Sequence, residues 1–149
     1  MIRVQEQDFD IGAEMAALSK GRTDAGAMVS FVGLVRDNAG AGEITAMTLE
    51  HYPGMTEDEL ARIENEARAR WPLLDCLIVH RIGRLLPGAN IVLVITLSAH
   101  REAAFEAAKF LMDYLKSKAP FWKNEETGGS RRWVAARDAD DAAVARWNR

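Results

Sequence analysis

The chain has 149 residues, 48% of them hydrophobic, and its 19 Lys or Arg against 22 Asp or Glu give a formal charge of −3. That supplies one ordinary core but too little chain to promise two, and the net acidity leaves no global basic field to hold nucleic acid. The lone cysteine, Cys76, forbids an internal disulfide; with no apolar run of roughly eighteen residues and no signal-peptide pattern, a cytoplasmic protein away from membranes is expected.

In chain order, Ile2 to Val4 reads as a short strand and Ile11 to Ser19 as a short helix ended by Gly21. Ala27 to Arg36 is rich in β-formers and closes on the Gly40/Gly42 loop, and Ile44 to His51 alternates as a second strand, which suggests a hairpin with the first. Pro53-Gly54 breaks the pattern. Thr56 with Glu59 then forms a capping-box signature before Leu60, Ile63, Ala67 and Trp71, the one-sided stripe of a surface-lying helix. Leu74 to Ile82 and Ile91 to Leu97 are further strands separated by Pro87-Gly88. From His100 the residues Ala104, Phe105, Ala108, Leu111, Met112 and Leu115 form the apolar stripe of a helix that Pro120 stops, and Lys116 falls at the stripe's margin. Phe121 to Lys123 is extended again, and Arg132 to Ala136 reads as the last strand. Residues 138–149 form either a short helix or a loose, mobile tail. Short connections between neighbouring strands exclude parallel crossovers, so the expected fold is α+β, one domain over residues 1–149, with a mixed or antiparallel sheet carrying the helices.

The charge is unevenly spread. From His100 to Arg137 eight Lys or Arg face five Asp or Glu, a local +3 in an acidic chain. His100 and Arg101 open a helix, where free N–H groups and the helix dipole favour an anion such as phosphate. Lys116, at an apolar margin with other cations near, is placed to act as a nucleophile or general base. Lys123 and Arg36 complete the cationic set, whereas Lys109 and Lys118 also fit a plain solvated face.

Other chemistries find little support. His51, His80 and His100 lie 29 and 20 residues apart without HxH, HxxxH or paired-cysteine spacing, so no metal and no cofactor is expected. His51 and His80 read as strand residues satisfied by a local hydrogen bond. Cys76 sits in LLDCLIVH, where burial raises a thiol's pKa, so the chain should not carry sulfur on itself. Gly33, Gly40 and Gly42 form no phosphate-binding glycine motif.

Several strings, in order, resemble the large, catalytic subunit of molybdopterin synthase, the MoaE family: FVGLVRD (Phe31 to Asp37), TLEHYPGMTE (Thr48 to Glu57), ARARWP, VHRIGRLLPG (Val79 to Gly88), SAHREAAFEAAKFLMDYLKSKAPFWK (Ser98 to Lys123) and RWVAARD (Arg132 to Asp138). The resemblance runs from about Gly26 to Asp138, and the strings are long and oddly composed. It implies a hammerhead-like α+β fold and an enzyme that inserts two sulfurs into cyclic pyranopterin monophosphate to make the molybdopterin dithiolene. The implied sulfur donor is the thiocarboxylated Gly-Gly tail of a small ubiquitin-like subunit, in a heterotetramer built on a central homodimer of this chain. By motif, Lys116 and Lys123 match the two catalytic lysines beside the incoming tail. Arg36, His100 and Arg101 match positions that hold phosphate and pterin, some of them supplied across the dimer interface. Phe31 and Met112 match pocket walls, and Arg137 is a further substrate-binding candidate. The NAGAGE and ETGGSR loops depart from the family pattern.

Overall fold

Local sequence sorts the chain into two small sheets and the helices that cover them, as a computed structural model describing residues 1–37, 43–134 and 138–148 displays. The strands are β1 (Ile2–Gln5), β2 (Ala27–Leu34), β3 (Ala46–His51), β4 (Leu73–Arg81), β5 (Gly83–Leu85), β6 (Asn90–Ser98), β7 (Phe121–Thr127) and β8 (Ser130–Val134). The helices are α1 (Ile11–Ser19), α2 (Met55–Arg70), α3 (Arg101–Ser117) and α4 (Asp138–Ala145), the last running into a 3-10 turn over Arg146–Asn148. One sheet has the order β1-β4-β6-β2, with β1 parallel to β4 and the other pairs antiparallel; the second, β5-β3-β7-β8, is antiparallel throughout. The α+β expectation holds, with two sheets in place of one.

The first sheet is buried on both faces, which explains the nearly continuous apolar runs of β4 and β6. Cys76, Ile78, Val92 and Val94 turn towards α2 and α3 and join Leu60, Ile63, Phe110 and Leu111 in the main core. Leu77, Val79, Leu93 and Ile95 point the other way, against Phe9 and Leu18. At roughly 1.5–3 kcal/mol for each large apolar side chain removed from water, the β4–β6 pair anchors both cores.

Three expectations need correcting. The hairpin between the second and third strands does not form: β2 pairs with β6 from Ala27↔Ser98 to Leu34↔Asn90, and β3 pairs with β5 and β7. Alternation shows that a segment is a strand but not which edge it joins, and the doubly buried β6 requires a neighbour on each side. Helix α2 starts at Met55, with Gly54 as its cap. The Gly54 N–H donates to Glu57 Oε2, and the Thr56 hydroxyl donates to the Tyr52 carbonyl at 2.8 Å instead of capping. Gly54 has φ of 85°, a left-handed value that the Pro53-Gly54 break supplies at little cost. On α3 the buried arc is wider and rotated from the expected one: Ala103, Ala107, Phe110 and Tyr114 belong to it, while Phe105 is 61% exposed. Small alanines let the helix lie close on the sheet, and Phe110 and Tyr114 supply the bulk. Of the two readings of the C-terminal segment, the short helix is the one that forms among the described residues. Val144 is buried, and Trp147 packs edge-on against Trp71 and Phe110 while its Nε1–H donates to Asp113 Oδ2 at 2.7 Å.

Candidate active site

The two sheets meet near the C-terminal end of α3 and leave a cavity of about 270 Å³. Its apolar wall includes Ile44, Met47, Ile91, Val92, Met112 and Leu115, and its cations are Arg36, Lys116 and Lys123. Each cation arrives by a different local device. Lys116 stands in the last turn of α3, one turn beyond Met112, so its stem follows the apolar margin and its amine reaches the opening. Lys123 comes from β7, where period-2 alternation puts Phe121, Lys123 and Glu125 on one face, across from His51, Leu49 and Met47 of β3. Arg36 follows the end of β2, where the register with β6 shifts between Gly33 and Leu34. Gly33 permits that approach: a Cβ there would stand 2.8 Å from Val92 Cγ1.

Three polar groups share the cavity with the cations and were not singled out by sequence reasoning. Glu125 is buried, with Arg132 Nη2 at 3.8 Å from Oε1 and no partner for Oε2. Ser117 Oγ is likewise buried without a hydrogen bond, and Asp140 enters from α4. His80 does make the local hydrogen bond expected of it, Nδ1 to the Arg81 carbonyl at 2.8 Å, yet it also lines the cavity. Burial drives its pKa down to about 4, with the charges of Lys123, Lys116 and His51 adding to the effect. The alternation of Phe121, Lys123 and Glu125 was the available signal for Glu125; only tertiary structure brings in Asp140.

Of the residues proposed from sequence, Arg36, Met112, Lys116 and Lys123 converge on this cavity. Phe31 does not line it. It is partly exposed on β2 just outside, its ring 3.7 Å from where a Gly33 Cβ would be. His100 and Arg101 are exposed at the opposite end of α3, about 22 Å from Lys116 along the axis at 1.5 Å per residue. His100 caps the helix through its backbone, with no side-chain hydrogen bond to the first turn. Arg137 lies outside the described residues. Cys76 is fully buried in the main core and its thiol pKa is pushed up to about 12, chiefly by desolvation. No helix among the described residues is long and apolar enough to cross a membrane.

This architecture is that of enzymes of molybdopterin synthesis. A solved structure described as the molybdopterin biosynthesis MoaE protein from Burkholderia ambifaria matches with a TM-score of 0.85 at 54% identity, covering 100% of this chain and 98% of that one. The structure of molybdopterin synthase from Staphylococcus aureus matches at 0.82 with 28% identity over 89% of this chain and 96% of that one. The molybdopterin synthase catalytic subunit of Mesorhizobium japonicum is 59% identical over 148 residues, 98% of this chain and 92% of that protein. The sequence pattern of the MoaE protein family covers residues 4–118, and the chain belongs to that family. It is an enzyme of molybdopterin synthesis, of the sulfur-transferring type.

Proposed function

We propose that Lys116 and Lys123 carry out sulfur transfer in this chain, with Arg36 holding the anionic substrate beside them, as the catalytic half of a molybdopterin synthase. The observation that carries the assignment is that α3, β7 and the end of β2 deliver these three cations to one small cavity with an apolar wall on one side. Charge in such a hollow acts through a lower dielectric than water and is felt more strongly by a bound anion.

The substrate is cyclic pyranopterin monophosphate, and the sulfur comes as the thiocarboxylate on the Gly-Gly tail of a small ubiquitin-like subunit. The thiocarboxylate sulfur attacks a pterin side-chain carbon and displaces an oxygen substituent, which leaves as it takes up a proton, so that a C–S bond replaces a C–O bond and the tail is joined to the pterin as a thioester. Water then adds to the acyl carbonyl; the acyl–sulfur bond breaks, leaving sulfur on the pterin and a carboxylate on the tail. Lys116 and Lys123 stabilise the negative charge that develops and move protons at these steps. Met112 forms part of the wall, Phe31 stands outside it on β2, and Arg36 makes charge-assisted bonds to the phosphate. His100 and Arg101 come from the second copy of a central homodimer, because α3 separates them from the cavity of their own chain; a small subunit then docks at each end to make a heterotetramer. The enzyme acts in the cytoplasm. The buried Cys76 thiol agrees with sulfur arriving on another chain.

The test is reconstitution. The purified chain, a thiocarboxylated small subunit and the pterin precursor are mixed, and dithiolene product is followed. Binding of the tail without product would mark the chain as an adaptor and overturn the assignment.

A further inference from the structure

His80 has three features that a purely structural histidine would not need together. It lines the cavity, on the face of β4 that also turns Ile78 towards α3. Its ring is clamped, stacked on Phe121 with centroids 3.7 Å apart and planes 13° from parallel. Its tautomer is also fixed: Nδ1 lies 2.8 Å from the Arg81 carbonyl, and a carbonyl can only accept, so Nδ1 carries the hydrogen and Nε2 the lone pair. The buried side-chain atoms without partners among the described residues are Arg3 Nε, His51 Nδ1, Ser117 Oγ and Glu125 Oε2; Nε2 of His80 is not sealed in among them. It makes no hydrogen bond there either, so it opens on the cavity its residue lines.

We propose that His80 is a positioning residue of the transfer site, presenting the Nε2 lone pair to the ammonium groups of Lys116 and Lys123 and so fixing where their charge is held. The proposal rests on the assignment of those lysines made above. The charged or titratable groups around the ring are Lys116 on α3, Lys123 and Glu125 on β7, His51 on β3, Asp140 on α4 and Arg36 after β2. Both lysines are close enough that their charge opposes protonation of the ring. The imidazole therefore stays neutral at physiological pH, too weakly basic to be an effective proton acceptor but intact as a hydrogen-bond acceptor. A neutral acceptor suits this place. It gives the lysine heads a fixed acceptor without adding to the negative charge that Glu125 and Asp140 already bring to the cavity.

Two substitutions separate this role from a structural one. In His80→Gln the side-chain amide oxygen falls near the Nε2 position and keeps the acceptor facing the cavity. In His80→Asn the amide NH2 falls near Nδ1 and keeps the bond to the Arg81 carbonyl, but the cavity loses its acceptor. Dithiolene formation is measured with saturating thiocarboxylated small subunit and pterin precursor. The expected result is that His80→Gln retains kcat within about fivefold of wild type while His80→Asn loses about tenfold to a hundredfold, with KM for the small subunit little changed in both. Equal activity in the two variants, or a more active Asn variant, overturns the proposal. Nitrogen NMR of the wild-type imidazole gives a second test that needs no variant: protonation at Nε2 near pH 7 overturns it, and the Nδ1–H form supports it. Wild-type protein that makes no product would instead count against the assignment of the reaction itself.

Discussion

Replacing Lys116 with alanine separates a local catalytic role from a general electrostatic one. The side chain is exposed in the last turn of α3, so alanine keeps the helix and costs at most a favourable contact with the helix dipole, about 1 kcal/mol or less. The fold should survive with a nearly unchanged melting curve. Catalysis should not, because loss of one preorganised group that stabilises developing charge typically costs about 10²- to 10³-fold in kcat. Lys109 supplies the control. It is exposed, lies about two turns earlier on nearly the same side of α3 and is about 10 Å from Lys116 along the axis. A unit charge at that distance in water is worth about 0.4 kcal/mol before screening, a factor of about two, and less at physiological salt. Lys109→Ala should therefore stay within about twofold of wild type. The assay is single-turnover formation of dithiolene with both variants at matched ionic strength, alongside thermal melts. Lys116→Ala retaining more than about a tenth of wild-type rate, or Lys109→Ala falling equally far, would refute a local role for the Lys116 charge.

Two further outcomes follow from buried groups. The folded-state pKa of His80, about 4 against an ordinary 6.5, is depressed, so its contribution to stability is complete above 6.5 and is lost as pH falls towards 4. Urea unfolding at pH 7 and at pH 4.5 should show a drop of up to about 3 kcal/mol that is largely absent in His80→Gln; equal drops in both proteins would place the acid sensitivity elsewhere. Cys76→Ala should lose about 1 to 2 kcal/mol of stability by emptying a fully buried site, yet retain sulfur transfer when assayed below its melting temperature; an inactive but folded variant would return this thiol to the mechanism.

The elements of the fold were largely legible because their signals are local. Val- and Ile-rich runs gave β4 and β6, the 3.6-residue stripe gave α3, and Pro120 marked its end. Partnership was not legible: nothing in the alternation of β2 and β3 says that they belong to different sheets, and the three-residue β5 is too short to show a period. The site divides in the same way. Lys116 and Lys123 stood out by composition, but Phe121 and Glu125 join Lys123 only through the pleat of β7. His80 was readable as a satisfied strand residue, and that reading was incomplete. Its place in the cavity depends on α3 and β7 closing over β4 from distant parts of the chain. Phe105 shows the opposite error, an apolar residue assigned to the core by type although the alanines around it set the true packing face.

Helix α3 also decides how many chains make one site. It carries the His100-Arg101 pair at its first turn and Lys116 at its last, about 22 Å apart on a rigid rod. A single pterin phosphate is far shorter than that, so a chain acting alone cannot bring both ends of its own α3 to one substrate. If the pair is supplied by the second copy, as proposed, the defects of Lys116→Ala and of a His100→Ala/Arg101→Ala double variant fall in different halves of each site. Mixed dimers of the two then contain one site with both defects and one with neither. After the two inactive proteins are unfolded and refolded together, statistical pairing makes half the dimers mixed and restores up to about a quarter of wild-type activity. Each protein refolded alone should restore none. If pairing is verified by mass and no activity returns, all of these residues must serve the site within one chain, and the 22 Å separation would have to close by a rearrangement of α3 itself.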